Sequence, residues 1–208
     1  MSLMTATPYK INNMELKNRI IMLVMHTAFA KGGKLSEEDY AFFEARAKGS
    51  PAAITQVVGV NDEGTADSMP NVTDESFFDA EKRITDMIHS YGTKHIVQLF
   101  HRGRNAASDK GLKPIAPSNV PSGIYRNECE VMTAEKIEET VKAFADAALK
   151  LKEIGVDAVE VSMSAGYLLS LFFSPITNLR DDEYGGDEER RMKAPLESRR
   201  PSGLRKTT

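Results

Sequence analysis

Four short, largely apolar runs recur along the chain, and each is bounded by polar or turn-forming residues. They are 19–25 (RIIMLVM), 52–58 (AAITQVV), 95–100 (HIVQLF) and 156–161 (VDAVEV). Apolar runs of this length are typical of strands that are buried on both faces of a sheet. We therefore predict four buried strands.

Segments with helical signals separate these strands. Ser36 and Asp74 precede EEDYAFFEARAKG and ESFFDAEKRITDMIHSYG, and each is a suitable N-cap for the helix that follows. The clearest helix begins after Thr133 and runs to about Glu153. Its apolar stripe recurs at steps of three or four residues: Ile137, Val141, Phe144, Ala148 and Leu151.

The order of elements is strand then helix, repeated four times, which indicates a parallel sheet with helical crossovers. We predict an α/β fold, namely a partial (β/α)8 TIM barrel with about four β/α units, because a whole barrel needs ~250 residues. An open doubly wound sheet is the alternative, but no G-x-G-x-x-G follows the first strand. Residues 1–192 are expected to form the N-terminal half of a barrel, and 193–208 a disordered tail.

Composition excludes several classes of function. The chain has 208 residues, a net charge of -3 and one cysteine, Cys129, so we expect neither a nucleic-acid partner nor a cysteine-rich metal site. No apolar stretch approaches the ~20 residues that span a bilayer, and the N-terminus lacks the apolar core of a signal peptide. We therefore expect no membrane association and a cytoplasmic location.

Ligands of parallel α/β proteins bind outside the carboxyl ends of the strands. That rule selects four segments: 25–27, 56–57, 98–104 and 162–167. The loop that begins at residue 101 is long for a compact domain, which is also typical of a functional segment.

Several stretches resemble one known family. ELKNRI, EKRITDMIHSYGTKHIVQLFHRGR, APS, GVDAVEV, GYLL, SPITNLRDDEYGG and RRM, in this order, are similar to the N-terminal half of the Old Yellow Enzyme family of FMN-dependent ene-reductases. The resemblance covers about residues 9–192. The sequence MHT at 25–27 resembles the 2,4-dienoyl-CoA reductase branch in particular.

The resemblance implies roles for five residues. It implies that FMN is the cofactor and NAD(P)H the reductant, and that Met25, His26 and Thr27 lie beside the flavin ring. Gln98 would hydrogen-bond the pyrimidine edge of the flavin, since an amide both donates and accepts. Tyr167 would protonate the substrate carbon. The substrate would be a small molecule with an activated C=C bond.

The chain also departs from the family. Ser162 and Ala165 stand where many members place a His and a His or Asn that hold the substrate carbonyl. The half that holds the flavin phosphate in the family is not encoded, so the resemblance implies a truncated chain. A non-catalytic half-barrel that self-associates through its open sheet edges, as a homo-oligomer, is the alternative function.

Other interpretations of single residues remain open. His26 fits a solvent-facing strand end as well as a flavin contact, and Tyr167 fits a packed ring with its hydroxyl in water. His101 and Arg104 would then only fix the long loop. The carboxylates of 181–183 favour a solvated loop over a metal site, because no spaced partner accompanies them.

Overall fold

The computed structural model describes residues 3–106, 111–126 and 128–199. The strands are β1 (Tyr9–Ile11), β2 (Met14–Leu16), β3 (Ile21–Met25), β4 (Ala53–Gly59), β5 (Lys94–Phe100), β6 (Ile115–Ala116), β7 (Glu130–Val131) and β8 (Ala158–Val161). The helices are α1 (Glu37–Ala47), α2 (Ser76–Ser90), α3 (Ala134–Glu153), α4 (Leu168–Phe173), α5 (Glu188–Arg191) and α6 (Lys193–Glu197). Short 3-10 helices span Met4–Ala6, Asp62–Gly64 and Gly103–Asn105.

The four predicted strands form one parallel sheet in the order β3-β4-β5-β8, with a helix after each of the first three strands. Ile21 pairs with Ala53, and Met22 pairs with Ile54. The next pair joins Met25 to Gln56, so β3 carries an irregularity between Met22 and Met25. Strand β4 is buried at every position, which explains why its sequence is largely apolar. Among the described residues β3 and β8 are the edges of this sheet, and it does not close into a barrel.

The predicted helix caps differ in how they act. Ser36 forms a capping box with Asp39 at the start of α1, and the Thr133 hydroxyl accepts a hydrogen bond from the Lys136 amide at 3.2 Å. Asp74 accepts from the Ser76 amide at 2.9 Å, although Glu75 occupies the N-cap position of α2. Asp74 therefore stabilises the first turn from one position further out than predicted.

Two short pairs of strands have no counterpart in the sequence prediction. Strands β1 and β2 form an antiparallel hairpin whose turn includes Asn12 at φ 50. Strands β6 and β7 pair in parallel inside the segment predicted as one long loop. Elements of two or three residues are too short to show a periodic pattern, so the sequence alone did not indicate them.

The described residues divide into two compact units. The described residues within 1–58, 67–98 and 150–160 form unit 1, and those within 59–66, 99–149 and 161–208 form unit 2. The core of unit 1 includes Phe43, Ala47, Ile54, Ile84, Met87 and Ile88. The core of unit 2 includes Ile115, Met132, Ile137, Leu168, Phe172, Tyr184 and Ala194.

The predicted boundary at Met192 needs correction. Residues 193–197 form α6, and Ala194 is 1% exposed within the core of unit 2. Burial of Ala194 orders the segment 193–197, which the sequence had predicted to be part of a disordered tail. Residues 200–208 of the expected tail lie outside the described residues. None of the described helices is both long enough and apolar enough to cross a membrane.

Candidate functional site

The end of β3 carries three of the predicted site residues in unit 1. Met25 is the last residue of the strand, and the residue is 57% exposed. His26 is also exposed, and its Nε2 lies 3.2 Å from the carbonyl oxygen of Ser68. Thr27 donates its hydroxyl proton to Oδ1 of Asp39 at 2.7 Å.

This bond restricts what Thr27 can offer to a ligand. Asp39 is 1% exposed, and its other oxygen accepts from the amide of Ser36 at 3.1 Å. The carboxylate thus joins the residues after β3 to the first turn of α1. Because the Thr27 proton is directed at Asp39 and the Phe29 amide approaches the oxygen at 3.5 Å, the hydroxyl retains one acceptor position for a ligand and no donor.

Gln98 lies near the end of β5, and it pairs with a residue that the sequence interpretation did not single out. Its Nε2 donates to Oε2 of Glu160 on β8 at 3.0 Å. Ile96 and Ala158, two positions earlier on the same strands, pack in one apolar cluster. Alternate residues of a strand share a face, so Gln98 and Glu160 continue the face that these two residues begin.

The opposite face of β5, together with β4, contacts α2 through a buried polar network. Gln56 donates to Oε2 of Glu81 at 3.0 Å, and His95 lies 2.9 Å from the Thr85 hydroxyl through Nδ1. Burial raises the pKa of Glu81 to about 8 and lowers the pKa of His95 to about 3. Gln56 is therefore a core residue bonded to α2. The expectation that segment 56–57 offers Gln56 to a ligand is wrong, because this side chain is buried against α2.

Tyr167 belongs to unit 2, where a tight turn delivers it. Ala165 and Gly166 have φ values of 55 and 73, and the Tyr167 amide donates to the Ser164 carbonyl at 3.1 Å. The Tyr167 ring meets that of Phe100 edge-on, with centroids 4.4 Å apart. Its hydroxyl makes no hydrogen bond to any other described residue. The packed ring and the free hydroxyl together leave a proton donor available.

His101 and Arg104 fix the loop after β5, as one of the interpretations proposed. The His101 Nδ1 accepts from the Gly103 amide at 2.9 Å, and burial lowers its pKa to about 3. Arg104 donates to the carbonyls of Val120 and Pro121, each at 3.2 Å. Both side chains are engaged within unit 2.

The charged stretch after α4 is also engaged within unit 2. Arg180 donates to the Asp182 carboxylate and to the carbonyls of Pro117 and Met132. The Arg180 guanidinium holds the pKa of Asp182 below its ordinary value. Glu183 pairs with Lys193. Asp182 and Glu183 thus form ion pairs with Arg180 and Lys193. The interpretation of this stretch as a solvated loop had not indicated these contacts.

Ser162 and Ala165 were predicted to lack the groups that hold a substrate carbonyl. Ser162 is 8% exposed, and its amide donates to the Leu99 carbonyl at 3.0 Å. Ala165 adopts the left-handed conformation and has no polar side chain. Neither position carries an imidazole or a carboxamide. The hydroxyl of Ser162 is therefore the one polar side-chain group that these two positions could offer to a substrate.

The family described as "NADH:flavin oxidoreductase / NADH oxidase family" matches residues 6–198. A metal reductase of Desulforamulus reducens is 38% identical, and the match covers 92% of this chain and 29% of that protein. An NADPH dehydrogenase of Bacillus subtilis is 35% identical, with 90% of this chain and 56% of that protein covered.

Solved structures share the fold. Old Yellow Enzyme from Pichia sp. AKU4542 superposes with a TM-score of 0.87 at 27% identity, covering 95% of this chain and 55% of that one. The chain therefore spans from under a third to a little over half of the length of these relatives. The parallel sheet described above corresponds to part of their TIM barrel.

Proposed function

Because the chain belongs to the NADH:flavin oxidoreductase / NADH oxidase family, whose members are FMN-dependent NAD(P)H oxidoreductases of the Old Yellow Enzyme type, we propose that it contributes to such an activity. The proposed reaction reduces an activated C=C bond of a small molecule. FMN supplies, when bound, the chemistry that carries a hydride from NAD(P)H to that bond.

One observation carries the proposal: the Gln98 amide has the chemistry that a flavin edge requires. Its Oε1 and one of its two N–H groups are uncommitted among the described residues, since its one hydrogen bond is the donation to Glu160. The pyrimidine edge of a flavin alternates acceptors with one N–H donor. A carboxamide that can both accept and donate complements this edge.

The other predicted residues are assigned as follows. Met25 and His26 contribute exposed side chains beside the flavin, and Thr27 contributes an acceptor oxygen. Tyr167 gives its hydroxyl proton to the substrate carbon next to the one that receives the hydride. The resulting phenolate regains a proton from solvent, so the overall reaction consumes one proton from water. Its free hydroxyl and its packed ring support this role.

The test uses the colour of the flavin. The purified protein is equilibrated with FMN, separated from free FMN and scanned in the visible range, and NADPH or NADH is then added without oxygen. Retained yellow colour that bleaches on addition of the nicotinamide is expected. Protein that retains no FMN under any condition would remove the proposal for this chain.

A second function has an observation of its own. Strands β3 and β8 each pair on one side only among the described residues, and Leu23 on β3 is 75% exposed. Open apolar edges favour pairing with another strand. A non-catalytic half-barrel that self-associates would elute as a dimer or larger species in size exclusion, without flavin. A flavin-free monomer that melts cooperatively would argue against this function.

A further inference from the structure

Gln98 and Glu160 form a pair whose chemistry fixes the direction of an amide. The Nε2 of Gln98 lies 3.0 Å from Oε2 of Glu160, and both residues belong to unit 1. A carboxylate only accepts hydrogen bonds, whereas the two ends of a carboxamide differ. The nitrogen end of Gln98 must therefore face Glu160, and the oxygen end must face away from it.

We propose that Glu160 is a positioning residue that orients the Gln98 amide for the ligand it holds. The proposal rests on the function proposed above, in which Gln98 contacts the flavin. Glu160 itself does not touch the cofactor in this role. It selects one of the two amide orientations, and so it determines which hydrogen-bonding pattern a ligand meets.

Without Glu160 the amide can turn over by rotation about its last side-chain bond. The flipped amide would present N–H groups where the ligand requires an acceptor. Affinity falls in proportion to the fraction of molecules in the competent orientation. Two equally populated orientations would lower the FMN affinity only about twofold. A partner that favours the flipped orientation would lower it at least about tenfold.

Two substitutions of Glu160 separate this effect from simple electrostatics. Glu160→Gln offers both an acceptor and a donor, so it permits both orientations of Gln98. Glu160→Lys offers donors alone, so it favours the flipped orientation. We expect FMN affinity to fall in the order wild type, Glu160→Gln, Glu160→Lys. Because the FMN phosphate is anionic, charge attraction alone predicts the opposite order.

The control variants test whether the effect passes through Gln98. Glu153→Gln removes an exposed carboxylate in the same unit, and it is expected to leave FMN affinity unchanged. In a Gln98→Leu background the substitutions at Glu160 should lose their effect, since coupled residues are not additive. An unchanged order of affinities in that background would show that Glu160 acts by another route and would overturn the proposal.

A second measurement needs no flavin. The side-chain NH₂ signals of Gln98, assigned by their loss in Gln98→Leu, are recorded by ¹⁵N NMR in the ligand-free protein. One proton of the pair is expected to shift on Glu160→Lys and to move less on Glu160→Gln. Identical Gln98 signals in all three proteins would overturn the orienting role. Absence of FMN binding with shifted signals would instead contradict the function proposed above and leave the orienting role supported.

Discussion

The Nε2 atom of His95 lies 3.6 Å from Oε1 of Glu81, and both side chains are fully buried in unit 1. The Thr85 hydroxyl donates to the Glu81 carbonyl at 2.9 Å, so it accepts from Nδ1 of His95. Burial lowers the pKa of His95 to about 3, so the ring is neutral at ordinary pH, and because its proton lies on Nδ1 its Nε2 carries a lone pair. Neither that nitrogen nor Oε1 of Glu81 has a hydrogen-bond partner among the described residues, so an ionised Glu81 would be a buried charge with no cation to pair with, which agrees with its raised pKa.

This pair predicts a decline of stability as the pH rises through neutrality to about 8. Burial, with a smaller contribution from Asp39, raises the pKa of Glu81 from 4.5 to about 8, so between these values the native state holds a proton that the unfolded state has lost. The contribution of Glu81 to the free energy of unfolding is therefore fully present below pH 4.5, and it is lost as the pH rises through about 8. His95 and His101, lowered from 6.5 to about 3, act in the opposite sense below 6.5.

Between pH 6.5 and 8 the Glu81 effect stands alone among these three groups. We expect the free energy of unfolding to fall by about 2 kcal/mol across this interval, as measured by urea titration at several pH values. Glu81→Gln should abolish the decline, because an amide does not titrate in this range and its oxygen can still accept from Gln56. Glu153→Gln should retain it. A decline of equal size in Glu81→Gln would refute the assignment.

Tyr167→Phe is expected to separate the two half-reactions of the proposed activity. The phenylalanine ring keeps the edge-on packing with Phe100 but has no proton to give. In the flavin-loaded protein the rate of C=C reduction should fall by about 10²–10⁴-fold, whereas bleaching by NAD(P)H should be unchanged. Stopped-flow absorbance measures both steps separately.

The matched control for this substitution is Tyr125→Phe. Tyr125 also lies in unit 2 and is 41% exposed, and its hydroxyl accepts from Arg102. We expect both rates to be unchanged in this variant. Equal rates of C=C reduction in Tyr167→Phe and in wild type would exclude Tyr167 as the proton donor.

The sequence predicted the sheet better than it predicted the site. Buried parallel strands are largely apolar, so the run that became β4 could be predicted without knowledge of its neighbours. Gln98 was singled out for a related reason, as an amide that ends such a run, and its role stays a prediction. Its partner Glu160 was not, because their contact depends on the register of β5 against β8. Gln56 failed as a site residue because the face it occupies is decided by packing against α2.

Arg180→Lys is expected to destabilise unit 2. The Arg180 side chain is 11% exposed, and its Nη1 lies 2.5 Å from the Met132 carbonyl and 3.2 Å from that of Pro117. Its Nε also donates to Asp182 at 2.9 Å. A single ammonium cannot serve these acceptors together. Leaving them without partners should cost about 2–4 kcal/mol, measured by denaturant unfolding.

Arg126→Lys provides the comparison for this prediction. Arg126 is exposed, so the same chemical change should alter the free energy of unfolding by no more than about 0.5 kcal/mol. Equal denaturation midpoints for Arg180→Lys and Arg126→Lys would show that the contacts of Arg180 contribute little to stability.

Gly64→Ala is expected to disturb the loop that follows β4 through one side chain. A Cβ atom at Gly64 would lie 2.4 Å from Cγ of His101, closer than any packed contact. The ring has little room to move away, because its Nδ1 accepts from Gly103 and the His101 carbonyl accepts from Leu168 at 3.0 Å. Overpacking of this kind should cost about 1–3 kcal/mol.

Gly123 allows the general cost of the added methyl group to be separated from the clash. A Cβ atom at Gly123 meets nothing within 4 Å, so Gly123→Ala should change the free energy of unfolding by less than about 0.5 kcal/mol. His101→Ala in the Gly64→Ala background removes the opposing ring. The double variant should therefore be more stable than the sum of the two single losses predicts. Strict additivity would show that the His101 ring is not what opposes the methyl group.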